Sequence, residues 1–221
     1  MARSVGMKIV FDNCVDGYCQ ASLWGFAAYF PEYSLLFDTG SNGRRLLQNL
    51  QAAQIEVTEI RHLFITHEHW DHIGGIDSIL ELNNQLTIYA PSTLSKNHIR
   101  DLKTLTKEVI VIGREPKHLF GDLYTTGMLG EKDPEHSLII ADTSPKLITG
   151  CGHYGISAIV EKVIEVIGRE IKEVVGGFHL LGKDEQTIRK EITTLQALGV
   201  EKALPTHCSG ALAMKLFAEA F

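Results

Sequence analysis

Four good metal donors fall within six residues: His67, His69, Asp71 and His72, in the run Thr66-His67-Glu68-His69-Trp70-Asp71-His72-Ile73-Gly74-Gly75. They follow directly on an apolar run, Leu63-Phe64-Ile65. Residues two apart in an extended segment share a face, so His67 and His69 can address one ion. Asp71 and His72, where the chain turns toward a helix, can address a second. Imidazole with carboxylate suits zinc, one or two ions, with manganese, iron or nickel as alternatives. Other metal motifs are excluded by the residues themselves. A zincin helix needs His-Glu-x-x-His, and Asp71 stands where its second histidine would be. A zinc deaminase needs Pro-Cys-x-x-Cys, which is absent. Cys14, Cys19, Cys151 and Cys208 show no Cys-x-x-Cys spacing for a zinc finger, and they read as thiols rather than as a disulfide framework.

The elements that must position these donors read as strands with tight turns in the first half and as alternating strands and helices in the second. Lys8–Phe11, Leu23–Phe30, Ser34–Phe37 and Leu63–Ile65 are short β-branched or aromatic runs bounded by Asp, Gly, Asn and Pro. A helix is predicted over Asn42–Ala53 and another from the metal motif through Leu82. Strands are predicted near Leu86–Tyr89, Val109–Ile112 and Leu119–Tyr124, and a helix over Pro91–Lys107. Ser137–Ala141 and Lys146–Ile148 read as a hairpin. Ile156, Ile159, Val160, Val163, Ile164 and Ile167 recur at helical spacing and stop at Gly168. Val174-Val175 runs into Gly176-Gly177-Phe178-His179. A helix carrying Ile188, Ile192 and Leu195 ends at Gly199, a strand near Ala203-Leu204 delivers His207, and a last helix spans Ala211–Ala220. At Asp38, His67, His153, His179 and His207 a polar residue thus follows the end of an apolar strand and precedes a glycine-rich turn or a helix. Such strand ends are where layered α/β folds assemble sites.

The run His67-x-His69-x-Asp71-His72 resembles the His-x-His-x-Asp-His hallmark of the metallo-β-lactamase superfamily. The resemblance extends along nearly the whole chain: Asp38-Thr39-Gly40, Thr149-Gly150-Cys151-Gly152-His153, Gly176-Gly177-Phe178-His179-Leu180 and Thr206-His207-Cys208-Ser209-Gly210. The last three are similar to one branch, metal-dependent hydrolases that include the archaeal dihydropterin synthase of methanopterin biosynthesis. The resemblance implies an α/β fold, a four-layer αββα sandwich of two mixed sheets in one domain spanning residues 1–221. It also implies a ligand set: His67 and His69 with a downstream histidine for a first ion, and Asp71, His72 and His207 for a second. The downstream histidine is His153 in the simplest register and His136 in another; by itself, His136 reads as a surface histidine at a strand start. The superfamily's bridging aspartate has no counterpart after Thr149, and His179, Cys151 or His153 could stand in for it. Asp38 reads as a brace that accepts a hydrogen bond from a ligand histidine or a backbone amide.

The function implied is a metal-dependent hydrolase acting on an ester, phosphoester or amide, in which metal lowers the pKa of a water toward neutrality. Asp71 and His179 are the candidate catalytic groups, with either a metal-bound water or His179 as proton donor to the leaving group. A synthase-like transferase joining a pterin diphosphate to a phosphoribosyl-aminobenzene acceptor is a second reading, and a non-catalytic metal- or ligand-binding module a third. At 221 residues, 44% of them apolar, the chain can build a sizeable core. Its net charge of -6 argues against a nucleic-acid partner and suits a small-molecule substrate. Met1–Val10 carries no signal-like apolar run, and no stretch approaches transmembrane length, so a cytoplasmic protein without a membrane partner is expected.

Overall fold

The computed structural model describes residues 6–15, 18–19 and 24–221. They form two compact units, residues 6–13 with 24–113, and residues 14–15 and 18–19 with 114–221. The chain opens with β1 (Lys8–Asp12), β2 (Cys14–Val15) and β3 (Tyr18–Cys19), the last two pairing in a small antiparallel ladder that belongs to the second unit. Cys14 is disulfide-bonded, which corrects its reading as a thiol. The ladder sets positions 14 and 19 opposite one another, a relation that their separation in sequence leaves undetermined.

The first unit continues with β4 (Phe26–Phe30), β5 (Leu35–Phe37), α1 (Gly43–Ala52), β6 (His62–Phe64), α2 (Trp70–Ile73), α3 (Ile76–Leu82), β7 (Thr87–Pro91), α4 (Lys96–Leu105) and β8 (Glu108–Ile112). Its sheet has the order β1-β4-β5-β6-β7-β8. β1, β4 and β5 pair antiparallel, and from β5 onward the strands are parallel. Parallel neighbours need crossover connections, here carried by α1, by α2 with α3, and by α4. The strands alternate: Ala27, Tyr29, Leu36, Leu63, Ile65, Ile88 and Ala90 meet Leu46 and Leu50 of α1, Ile76 and Ile79 of α3, and Leu102 of α4. Phe26, Phe37 and Phe64 point to the other face, where Phe37 stacks on Phe64 at 5.4 Å. Burying each such side chain contributes about 1.5–3 kcal/mol. Helix α1 starts where Asn42 Oδ1 accepts from Arg45 N–H at 2.9 Å, an N-cap the sequence signals. The helix expected after the metal motif is two helices, broken at Gly74-Gly75, and Pro91 ends β7 rather than opening a helix. Leu23, the expected start of β4, lies outside the described residues.

The second unit adds β9 (Lys117–Phe120), β10 (Leu123–Thr125), β11 (Leu138–Ile140), β12 (Lys146–Thr149), α5 (Ile156–Ile167), β13 (Glu173–Gly177), α6 (Glu185–Ala197), β14 (Lys202–Thr206) and α7 (Gly210–Ala220). The single strand expected at Leu119–Tyr124 is a hairpin of β9 and β10, because Gly121-Asp122 turns the chain. The sheet order is β14-β13-β12-β11-β10-β9. β9 to β12 are antiparallel; β12, β13 and β14 are parallel, with α5 and α6 as crossovers. Ile156, Ile159, Val160 and Val163 of α5, Ile188, Ile192 and Leu195 of α6, and Ala213, Leu216 and Phe217 of α7 form one core with Ile139, Leu147, Val174 and Ala203 of the strands. Gly168 takes the left-handed conformation that ends α5, and its N–H donates to Ile164 O at 2.8 Å. Among the described residues no helix is long and apolar enough to cross a membrane. Both sheets place their candidate donors beyond the carboxyl ends of parallel strands, β5 and β6 in one unit and β12 to β14 in the other. In open α/β sheets ligands bind at such ends.

Candidate functional site

In the first unit the donors are organised around one buried carboxylate. Asp38 leaves β5 in the left-handed region, φ 52°, and is fully buried. Its Oδ1 accepts from Thr66 N–H at 2.8 Å, its Oδ2 accepts from Thr66 Oγ1 at 2.8 Å, and His72 Nδ1 lies 2.7 Å from Oδ2. Thr66 Oγ1 is also 2.8 Å from His67 Nδ1. With Asp38 ionised, the directions follow from the donor inventory: Thr66 spends its one hydroxyl proton on Asp38, so it accepts from His67 Nδ1–H, and His72 donates from Nδ1 as well. Both imidazoles therefore hold a proton at Nδ1 and keep the Nε2 lone pair for an ion. Burial raises the Asp38 carboxyl above its ordinary value, and the pairing with His72 and the bonds from Thr66 offset part of that rise.

The remaining donor atoms of this group are close together. His67 Nε2 is 3.1 Å from His69 Nδ1, and His72 Nε2 is 3.6 Å from Asp71 Oδ2. The His67 and His72 rings lie 4.2 Å apart. Tetrahedral zinc with bonds of about 2.0–2.1 Å separates its nitrogen ligands by roughly 3.3 Å, so the His67 and His69 nitrogens already sit at the spacing of two such ligands. The donor chemistry and spacing fit a first-row metal. Thr39 braces the same turn: its N–H and its Oγ1 both donate to His72 O at 2.8 Å. Trp70 is 63% exposed, so it forms no part of the helix core.

In the second unit the residues follow β12, β13 and β14. His153 is carried by the turn Gly150-Cys151-Gly152-His153, and that turn is held by a residue with no motif, Glu135. The Glu135 carboxylate, 3% exposed, accepts from the backbone N–H groups of Gly150, Cys151 and Gly152 at 2.9 Å each and of His153 at 3.3 Å. His153 Nδ1 is 3.1 Å from Glu135 Oε2, within ion-pair distance but without hydrogen-bond geometry. Neither role stands out in the sequence: Glu135 binds backbone N–H groups, and Thr66 joins the His67 ring to Asp38, a residue 28 positions away that only the fold brings near. His136 is fully buried, with Nδ1 2.8 Å from Thr125 Oγ1, which corrects its reading as a surface histidine. His179 and His207 both adopt left-handed backbone, φ 52° and 53°. Such conformations cost about 1–3 kcal/mol and persist where the surroundings over-determine them. His179 lies 4.9 Å, ring to ring, from His153. Its hydrogen bond with Cys208 raises its pKa above the ordinary imidazole value, against partial burial. Burial pushes the Cys208 thiol up, but hydrogen bonds with Cys151 and His179 outweigh it and hold the thiol well below its usual range.

A profile of the metallo-beta-lactamase superfamily matches residues 26–144. Among curated proteins, the 7,8-dihydropterin-6-methyl-4-(beta-D-ribofuranosyl)-aminobenzene-5'-phosphate synthase of Methanocaldococcus jannaschii is 28% identical over 233 residues, covering 85% of this chain and 79% of the relative. Among solved structures, a metal-dependent hydrolase of the β-lactamase superfamily superposes with a TM-score of 0.76 at 24% identity, covering 97% of this chain and 92% of that one. The short form of human tRNase Z gives 0.61 at 18% identity, covering 91% and 92%. These likenesses show the fold.

Proposed function

We infer the function from the premise that this chain belongs to the metallo-β-lactamase superfamily: it is a metal-dependent hydrolase of an ester, phosphoester or amide bond in a small-molecule substrate. The observation that carries this reading is the group His67, His69, Asp71 and His72, with the Nδ1 sides of His67 and His72 tied back through Thr66 and Asp38. His67, His69, Asp71, His72, His153 and His207 are the residues we assign to metal, zinc first. A bound divalent ion supplies Lewis-acid polarisation and acidifies water at neutral pH.

The chain's own groups do the rest. Asp38 fixes the tautomers of two donors, and Glu135 fixes the turn that carries His153. His179, held protonated further into the neutral range by its hydrogen bond to Cys208, donates to the leaving group. Asp71 contributes the carboxylate charge that the donor set needs. One observation favours a second reading: the likeness to the methanopterin-pathway synthase spans most of both chains. On that reading the protein joins a pterin diphosphate to a phosphoribosyl-aminobenzene acceptor.

Turnover separates the two. The purified protein is assayed on a panel of aryl esters, phosphoesters and amides, and separately with a pterin diphosphate and the aminobenzene acceptor. Hydrolysis that disappears on chelation and returns with zinc is the expected result. Condensation product formed only with both partners would transfer the assignment to the synthase reading, and neither activity would contradict both.

A further inference from the structure

Strands β12, β13 and β14 run parallel and side by side, with Cys151 two residues beyond the first and Cys208 two residues beyond the third. A whole strand therefore stands between their turns. Gly177, at the end of β13, lets the turns meet across it. A Cβ at Gly177 would come within 2.7 Å of Cys208 Sγ, 2.9 Å of Cys151 Cα and 2.3 Å of Gly150 O. Through that gap Cys208 Sγ approaches Cys151 O to 3.4 Å. The two sulfurs and a ring nitrogen of His207 all lie within 4.8 Å of one another. The three residues are buried, and neither cysteine is in a disulfide. His207 is held toward them on left-handed backbone.

A buried cysteine usually behaves as a small apolar side chain, and packing alone would account for one of them. Packing does not call for two thiols converging on an imidazole that sits in strained backbone. Two sulfurs and a histidine nitrogen are a soft donor set of the kind that zinc, iron and cobalt prefer over manganese or magnesium.

We propose that Cys151 and Cys208 ligate, as thiolates, the ion that His207 holds. The proposal rests on the reading of His207 as a metal donor given above, and it deepens that reading by naming the ligand chemistry of the position. Each thiol releases its proton to solvent as its sulfur–metal bond forms.

The test uses the whole chain, stripped of metal and loaded with cobalt(II), with bound cobalt counted by mass spectrometry. The expected result is a near-ultraviolet thiolate-to-cobalt charge-transfer band, reduced by about half in Cys151→Ser and in Cys208→Ser and absent from the double variant. Bound cobalt with visible ligand-field bands but no charge-transfer band would overturn the thiolate proposal and leave His207 as a metal donor. That comparison needs only the parent protein, so it holds even where a serine variant fails to fold. A band that persists in the folded double variant would overturn the proposal as well. A parent that binds neither cobalt nor zinc would overturn the proposal together with the reading beneath it.

Discussion

One carboxylate, Asp38, sets the protonation of two histidines, and that is a consequence of hydrogen-bond arithmetic. Replacing it with asparagine keeps an acceptor for Thr66 N–H but turns an NH2 group toward both Thr66 Oγ1 and His72 Nδ1, which share Asp38 Oδ2. His72 then loses the partner that held its proton on Nδ1. Asp38→Asn is expected to weaken zinc binding by about 10–100-fold while the protein stays folded. Calorimetric titration of the metal-free protein measures this, and an unchanged affinity would remove Asp38 from the account. At this scale the sequence is informative where donors are contiguous: His67, His69, Asp71 and His72 share one local segment, and their spacing alone marks them as a group. It is silent on Glu135, which serves a turn some fifteen residues away in sequence, at Gly150 to His153, through backbone N–H groups that any residue type would offer. It is equally silent on the burial of His136, since burial depends on what the fold lays over it.

The elements read from hydrophobic period are those with an unambiguous period. Helix α5 has a buried stripe of isoleucine and valine and ends at its glycine, and both features stand in the sequence. The hairpin of β9 and β10 does not, because Leu119 to Tyr124 reads as one apolar run until Gly121-Asp122 is seen to turn it. Register between strands is a further level that period does not reach. It sets Glu173 of β13 opposite Lys146 of β12 on one side and Lys202 of β14 on the other. Glu173 accepts from Lys146 Nζ at 2.8 Å and from Lys202 Nζ at 3.0 Å. Partial burial pushes the Glu173 carboxyl up, but the two lysines outweigh it and hold it below its ordinary value of 4.5. A carboxylate with a lowered folded pKa stabilises the fold above its unfolded pKa, and that contribution is lost as pH falls through the folded value. Glu173→Gln is therefore expected to cost about 0.5–1 kcal/mol at neutral pH, a modest figure because solvent screens the pairs. Urea unfolding should show the difference from the parent shrinking as the solution is acidified below the carboxylate range. A constant difference at all pH values would mean that the effect is packing rather than charge.

Across the whole molecule, each of the two units repeats one arrangement: a mixed six-stranded sheet, helices as crossovers between its parallel strands, and polar residues set just beyond the carboxyl ends of those strands. The sequence makes this arrangement readable because apolar strands ending in Asp38, His67, His179 and His207 recur along it. Three of these four, Asp38, His179 and His207, stand in left-handed backbone that a residue with a side chain seldom adopts. Stability is given up at those positions, which is the pattern of a site rather than of a scaffold. Metal chemistry at these positions is decided by the metal content of protein purified without added metal, measured by mass spectrometry beside His67→Ala and His207→Ala. About two ions are expected in the parent and about one fewer in each variant. A parent that carries no stoichiometric metal, or a metal content that neither substitution changes, would contradict that expectation.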